Sequence, residues 1–306
     1  MENTQSLTYI CSRRGASHIR DNKPCQDATK IWQGFLPQGY SVILAVADGH
    51  GDKKYDLSEF GSEIATQVII DIVIEYCKAF PKSIDQLYDS IRNDLPDSVL
   101  REWKKKVIGH YKENETVEDH SNHVNENLKL TNEQIIERYG TTCLFALQLN
   151  NRVIIGQIGD GDIRIVFKDE VIRPIMVNSQ LFANETYSLV SPDAAKLWRI
   201  KTHTIENHSL IAISTDGLSN GFIDDHACDS FFKNIYMNVE KFGFYKTMEL
   251  VPSFLDKVST YGSGDDVTLA LCWTMIYEHQ QENCHSSNKM GGIVRCLKSV
   301  TKFFAK

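Results

Sequence analysis

The chain has 306 residues, 42% hydrophobic and 24% charged, a balance that excludes a disordered polymer, a collagen-like repeat and a small disulfide scaffold. A chain of this length buries roughly 75% of the surface it exposes unfolded, so any metal would serve chemistry rather than hold the fold together. The net charge of −7 argues against a broad nucleic-acid surface.

Taken in chain order, the first apolar, β-branched run is Leu7 to Cys11, followed by Tyr40 to Ala47, which ends in ADGHG. Both read as strands. From Leu57 to Phe80 the period changes. Phe60, Ile64, Val68, Ile72 and Tyr76 recur every four residues and predict a helix, with another within 83–111. Residues 112–127, KENETVEDHSNHVNEN, carry almost no apolar anchor and predict an exposed connection. Three closely spaced strands follow at Thr141 to Leu149, Arg152 to Ile158 and Ile163 to Phe167, then one at Ser209 to Ser214. Helices are expected within 226–240 and 244–260, and a final strand at Val267 to Thr274. Strands and helices do not alternate regularly, which predicts an α+β layered sandwich of antiparallel sheets with helices packed outside.

The eight cysteines include no CxxC pair and sit mostly in apolar runs, as expected of reduced thiols in a cytoplasmic protein. The polar N-terminus lacks the charged-then-apolar order of a secretory signal, and the apolar runs at 42–47 and 68–74 are too short to cross a bilayer.

The informative feature is a set of aspartates at strand ends: Asp48 in VADGHG, Asp160 and Asp162 in IGDGD, Asp216 in STDGLSNG, and Asp265 and Asp266 in GSGDDVTL. An apolar strand that stops at Asp-Gly projects a carboxylate where the sheet ends, and glycine lets a metal or substrate come close. Asp-Gly is also an ordinary hairpin turn, so one instance alone carries little. Four matched instances predict carboxylates gathered at one edge. An all-oxygen set without His or Cys clusters selects Mg²⁺ or Mn²⁺ over Zn²⁺.

In order and spacing, PCQDA (24–28), ADGHG (47–51), YGTT (139–142), IGDGDIR (158–164), STDGLSNG (214–221) and GDDVTLAL (264–271) resemble the metal-dependent protein phosphatases of type 2C, their bacterial branch in particular. The resemblance implies a four-layer α-β-β-α sandwich of two antiparallel sheets flanked by helix pairs. It also implies a serine/threonine phosphatase that hydrolyses phosphate monoesters by attack of a metal-bridging hydroxide. Carried over motif by motif, Asp48 would bridge two Mn²⁺ or Mg²⁺ ions, the Gly49 carbonyl would bind the second, and Asp216 and Asp265 would complete the first. Asp160 with Asp216 would hold a third, weaker ion. His50 would be the general acid and Asp27 a partner orienting water or His50. The other nine histidines, including His120 and His123, are read as ordinary polar residues.

Two departures stand out. Gln26 replaces the common glutamate and offers a neutral oxygen. Arg20, the nearest candidate for the phosphate-gripping arginine, lies seven residues before Asp27, two more than is usual, and reads equally as a surface charge. The phosphatase-like domain is expected over 1–275, with a flap at 171–206 in which Asn184, Glu185, Thr186, Tyr187, Ser188 and Leu189 line the groove or simply connect strands. A tail follows at 276–306. Its last eighteen residues hold Lys289, Arg295, Lys298, Lys302 and Lys306 and no acid, and it is expected to dock on the acidic body, the other readings being contact with anionic lipid or with a partner.

A phosphoserine or phosphothreonine protein is the implied substrate and a cognate kinase the implied partner. The competing readings are a pseudophosphatase that binds a phosphoprotein or kinase without hydrolysis, and a small-molecule phosphatase using the same metals.

Overall fold

The structure is a computed structural model and describes residues 3–114, 130–175, 186–205 and 208–277. The expected basic tail, most of the polar connection, His120, His123, Asn184 and Glu185 lie outside the described residues.

Strand β1 (Asn3–Arg13) leads into a five-residue helix α1 (Ala16–Arg20), then β2 (Asp27–Leu36) and β3 (Gly39–Asp48). Helices α2 (Ser58–Ala79), α3 (Ile84–Asn114) and α4 (Asn132–Glu137) precede β4 (Cys143–Leu149), β5 (Arg152–Ile158), β6 (Asp162–Val166), β7 (Val171–Ile172), β8 (Arg199–Thr204) and β9 (Ser209–Ser214). The chain continues through α5 (Asp216–Ser219), α6 (Asp225–Phe242), α7 (Phe244–Met248) and α8 (Val251–Val258) to β10 (Val267–Tyr277). The helix expected within 244–260 is two helices. Pro252 sits in the first turn of α8, where its missing N–H leaves no bond unmade and the helix restarts.

The strands form two five-stranded antiparallel sheets, β1-β10-β9-β6-β7 and β2-β3-β4-β5-β8. Between the sheets, Val42, Leu44, Val46, Leu144 and Ile155 pack with Ile163, Ile211, Ile213 and Ala270. The alternate residues of the same strands face outward. Ile43, Ala45, Phe145 and Leu147 meet Val68, Ile69, Ile72 and Val73 of α2 and Leu95, Val99 and Trp103 of α3. On the far side, Leu210, Ala212, Leu269 and Leu271 meet Phe232, Ile235 and Leu255 of α6 and α8. Both faces of the central strands are therefore covered, which is why they read as unbroken apolar runs, and the result is the expected α-β-β-α layering. All six cysteines among the described residues are free. No helix among the described residues is long and apolar enough to cross a membrane.

Candidate functional site

The loops at one edge of the two sheets carry the aspartates. Asp48 is the last residue of β3, where the antiparallel register sets it opposite Asp27, the first residue of β2. The YGTT segment fixes its backbone from both directions. The Asp48 N–H donates to Thr142 Oγ1 at 2.9 Å, and its carbonyl accepts from the Thr142 N–H at 2.8 Å and from Thr141 Oγ1 at 2.9 Å. Gly49 follows in a crowded passage: a Cβ there would stand 2.6 Å from the Gln26 carbonyl oxygen and 2.8 Å from that of Ser58. Only glycine lets the chain turn there.

Asp216 opens α5 directly after β9, in the other sheet. Its Oδ2 accepts from Asn220 Nδ2 at 2.9 Å, so the DGLSN spacing has a local purpose, an i to i+4 contact along the turn. Asp48 and Asp216, carried by opposite sheets, lie close enough for each to shift the other's titration. Burial, then the charges of Asp27 and Asp216, push the Asp48 carboxyl well up. Burial and the charge of Asp160 push Asp216 up to about 6. Asp27 is raised as well, by burial and by Asp266, although Thr215 Oγ1 donates to its Oδ2 at 2.8 Å.

Asp265 and Asp266 split their tasks. Asp265 is half-exposed at the mouth of the cleft. Asp266 is 3% exposed and accepts from the Gly15 N–H at 2.6 Å and the Gln26 N–H at 2.7 Å. His18 Nδ1 lies 2.9 Å from its Oδ2, with the Pro24 carbonyl 3.1 Å from the same nitrogen. Burial alone would raise Asp266, but hydrogen bonds from His18, Gly15 and Gln26 hold it below the usual carboxylate range. His18 Nε2 stands 3.8 Å from Asp265 Oδ1. The bond to Asp266 raises His18, and burial opposes that rise.

His18 is the residue that the sequence reading passed over. The structure does not bring Arg20 to the cleft. Its side chain is 74% exposed and pairs with Asp21 at 3.3 Å, because residues two apart on a helix turn point away from each other. His18, two residues earlier on α1, points inward instead. The signal was available in the His-x₇-Gln-Asp spacing and in an Asp doublet whose second member leads straight into a buried strand. Asp162 is not part of the carboxylate cluster, for its Oδ1 lies 3.2 Å from Nη1 of the fully buried Arg164.

His50 donates its N–H to the Gly140 carbonyl at 3.0 Å and packs its ring on Tyr55, with centroids 4.7 Å apart. Burial holds the imidazole below its ordinary value, against the opposing charge of Asp160. Asp160 is exposed, and its Oδ2 accepts from Thr186 Oγ1 at 2.5 Å. Thr186 thus ties the expected flap to the cluster. Gln26 is buried. Its Nε2 donates to the His50 carbonyl at 3.1 Å and to Ser58 Oγ at 2.6 Å, while its Oε1 has no hydrogen-bond partner among the described residues.

His18, Gln26, Asp48, Gly49, Asp265 and Asp266 border a cleft of about 250 Å³, with no lysine or arginine among its lining residues. A divalent cation fits the donor set. The carboxylates raise one another, the available oxygens are hard, and the buried Gln26 Oε1 has an unused lone pair. Among the described residues no three His, Cys, Asp or Glu side chains already close around one point. The Gly49 carbonyl and water would fill the positions around a cation that the carboxylates leave open.

A profile of the protein phosphatase 2C family matches residues 14–251. Among solved structures, a bacterial serine phosphatase is similar at a TM-score of 0.57 and 16% identity, over 88% of this chain and 98% of that one. The catalytic domain of the serine/threonine protein phosphatase PstP, in complex with 2 manganese ions, matches at 0.54 and 14% identity, over 89% and 100% of the two chains. The S. agalactiae serine/threonine phosphatase matches at 0.54 and 14%, over 88% and 99%. At these identities the likenesses establish the shared fold. No curated protein matches the chain in sequence.

Proposed function

The chain belongs to the protein phosphatase 2C family and is by that membership a phosphoprotein phosphatase; on that premise we propose that it hydrolyses phosphoserine and phosphothreonine monoesters using Mg²⁺ or Mn²⁺ ions in the carboxylate cleft. The observation that carries this reading is the convergence of Asp48, Asp216 and Asp265, carboxylates from both sheets close enough that the charges of Asp216 and Asp265 raise Asp48.

In this reading Asp48, the Gly49 carbonyl, Asp216 and Asp265 would together hold the ions. Asp160 beside Asp216 offers a weaker, third position. When bound, such ions supply an acidified water as nucleophile and counter-charge for the phosphoryl oxygens. The chain's own residues do the rest. Thr141 and Thr142 hold the Asp48 backbone rigid. Asn220 orients Asp216. Asp27, anchored by Thr215, faces Asp48 across the strand pair and steadies its orientation. Gln26 Oε1 accepts a hydrogen bond from water without adding charge. His50, braced by Tyr55 and the Gly140 carbonyl, delivers a proton to the departing serine or threonine oxygen.

The test is hydrolysis of p-nitrophenyl phosphate and of a phosphothreonine peptide. Activity is expected only with added Mn²⁺ or Mg²⁺, abolished by EDTA and reduced at least 100-fold in Asp216→Asn, about the loss expected when an ion is misplaced. Activity indifferent to chelation overturns the mechanism. A strong preference for nucleotides over phosphopeptides makes the substrate a small molecule instead.

A further inference from the structure

A second, larger cleft opens beside the first. It encloses about 420 Å³, within the roughly 300–1,000 Å³ of clefts that hold ligands. Its apolar surface comes from Ile136 of α4, Val190 and the ring of Tyr55, all partly exposed.

Two contacts join it to the carboxylate site. The Tyr55 ring that lines it also packs on His50 at 4.7 Å, and Thr186, on its other wall, donates to Asp160. Gly140 makes the first contact feasible, since a Cβ there would stand 2.5 Å from the Tyr55 ring and 2.8 Å from His50 Cδ2. The larger cleft therefore lies one side chain away from His50 and from Asp160.

The charges at the rim cancel. Lys54 Nζ lies 3.4 Å from Glu137 Oε1 and 4.6 Å above the centre of the Tyr55 ring. Lys104 faces Glu133 closely enough to lower its carboxyl, after that group's own hydrogen bonds. A rim with paired charges gives a charged ligand no advantage, whereas three half-covered apolar side chains favour a partner that buries them.

Resting on the phosphatase reading above, we propose that this cleft seats the polypeptide flanking the phosphorylated residue and takes an apolar side chain of that segment against Ile136 and Val190. An extended chain advances about 3.3–3.6 Å per residue. With the Tyr55 ring between this cleft and His50, the preferred side chain lies roughly two or three residues from the phosphate. Substrate choice then reads an apolar residue at that distance from the phosphosite.

The experiment uses the full chain with Mn²⁺ and a panel of phosphothreonine peptides in which each flanking position is in turn Leu, Asp or Lys, with p-nitrophenyl phosphate as the reference substrate. The wild type is expected to favour Leu at one flanking position about tenfold in kcat/KM. Val190→Asp and Ile136→Asp are expected to lose that preference through KM while turning over p-nitrophenyl phosphate normally, which reports that they fold. Val190→Lys is expected to shift the preference at the same position towards Asp, a gain that misfolding does not produce. Equal turnover of all flanks by the wild type, or a Leu preference untouched in all three variants, overturns the cleft while leaving the phosphatase reading intact. Absence of p-nitrophenyl phosphate hydrolysis by the wild type with Mn²⁺ overturns that reading and this inference with it.

Discussion

His18 Nδ1 lies 2.9 Å from Asp266 Oδ2, a contact between the loop that follows the first strand and the loop that precedes the last. Asp266 is buried and also receives the Gly15 and Gln26 N–H groups, so one carboxylate ties three segments together immediately beside the exposed Asp265. His18 thereby fixes a proposed cation ligand without being one itself, as partners behind metal ligands commonly do.

His18→Ala is expected to weaken Mn²⁺ binding about 10–100-fold, the range for loss of such a partner. The variant also leaves Asp266 one donor short, at a cost of about 1–3 kcal/mol. Calorimetric Mn²⁺ titration of the folded variant, with urea denaturation alongside, measures both effects. Unchanged Mn²⁺ affinity would make the His18 contact purely structural.

Gly217 is a steric requirement of the same region. A Cβ there would stand 2.0 Å from the Asp266 carbonyl oxygen, a backbone atom that cannot rotate away. Gly217→Ala is expected to destabilise the protein by about 1–3 kcal/mol, as overpacking does, and to displace Asp216 next to it. Urea denaturation gives the first quantity. Loss of hydrolysis in the molecules that remain folded gives the second.

Protons and cations compete for the cluster. Asp216 rises from its ordinary 3.8 to about 6 in the folded protein. Between those values the folded chain holds the extra proton, so its stability falls as pH rises through that window. Asp48 and Asp27 are raised too and add in the same direction. Melting in EDTA is therefore expected to be highest near pH 4–5 and lower above pH 6. A cation at about 100 times its dissociation constant adds about 2.7 kcal/mol, or roughly 5 °C for a chain of this size. That gain is expected at pH 7.5 and should largely vanish at pH 5, as differential scanning fluorimetry with and without Mn²⁺ can show. A gain equal at both pH values would place the cation elsewhere.

His50 separates substrates by leaving group. A serine or threonine alkoxide needs a proton as it departs, and nitrophenolate does not. His50→Ala is expected to lose about 10²-fold or more on a phosphopeptide and much less on p-nitrophenyl phosphate. Equal losses would assign His50 to positioning through Tyr55 rather than to proton delivery.

Which elements were readable from the amino acids follows from where they sit in the sheets. Central strands such as β3, β4 and β9 are covered on both faces and read as continuous apolar runs. Three of the four edge strands did not. In β2, DATKIWQGFL, and β8, RIKTHT, much of the surface stays partly open, so polar residues interrupt the pattern, and β7 is only two residues long. In the site, the Asp-Gly strand ends were legible because each carboxylate sits where a strand stops. The contact of His18 with Asp266 was not, because the fold brings the two together from opposite ends of the chain. Arg20 was singled out by its spacing from Asp27 and read equally as a surface charge; its side chain is exposed and pairs with Asp21.

The central claim is that Asp48, Asp216 and Asp265 act together on hard cations. Anomalous diffraction from crystals soaked in Mn²⁺ tests it most directly. The expected result is a pair of manganese peaks in the cleft with the Asp48 carboxylate between them and the Gly49 carbonyl on one. A cleft free of manganese at saturating concentration would contradict it.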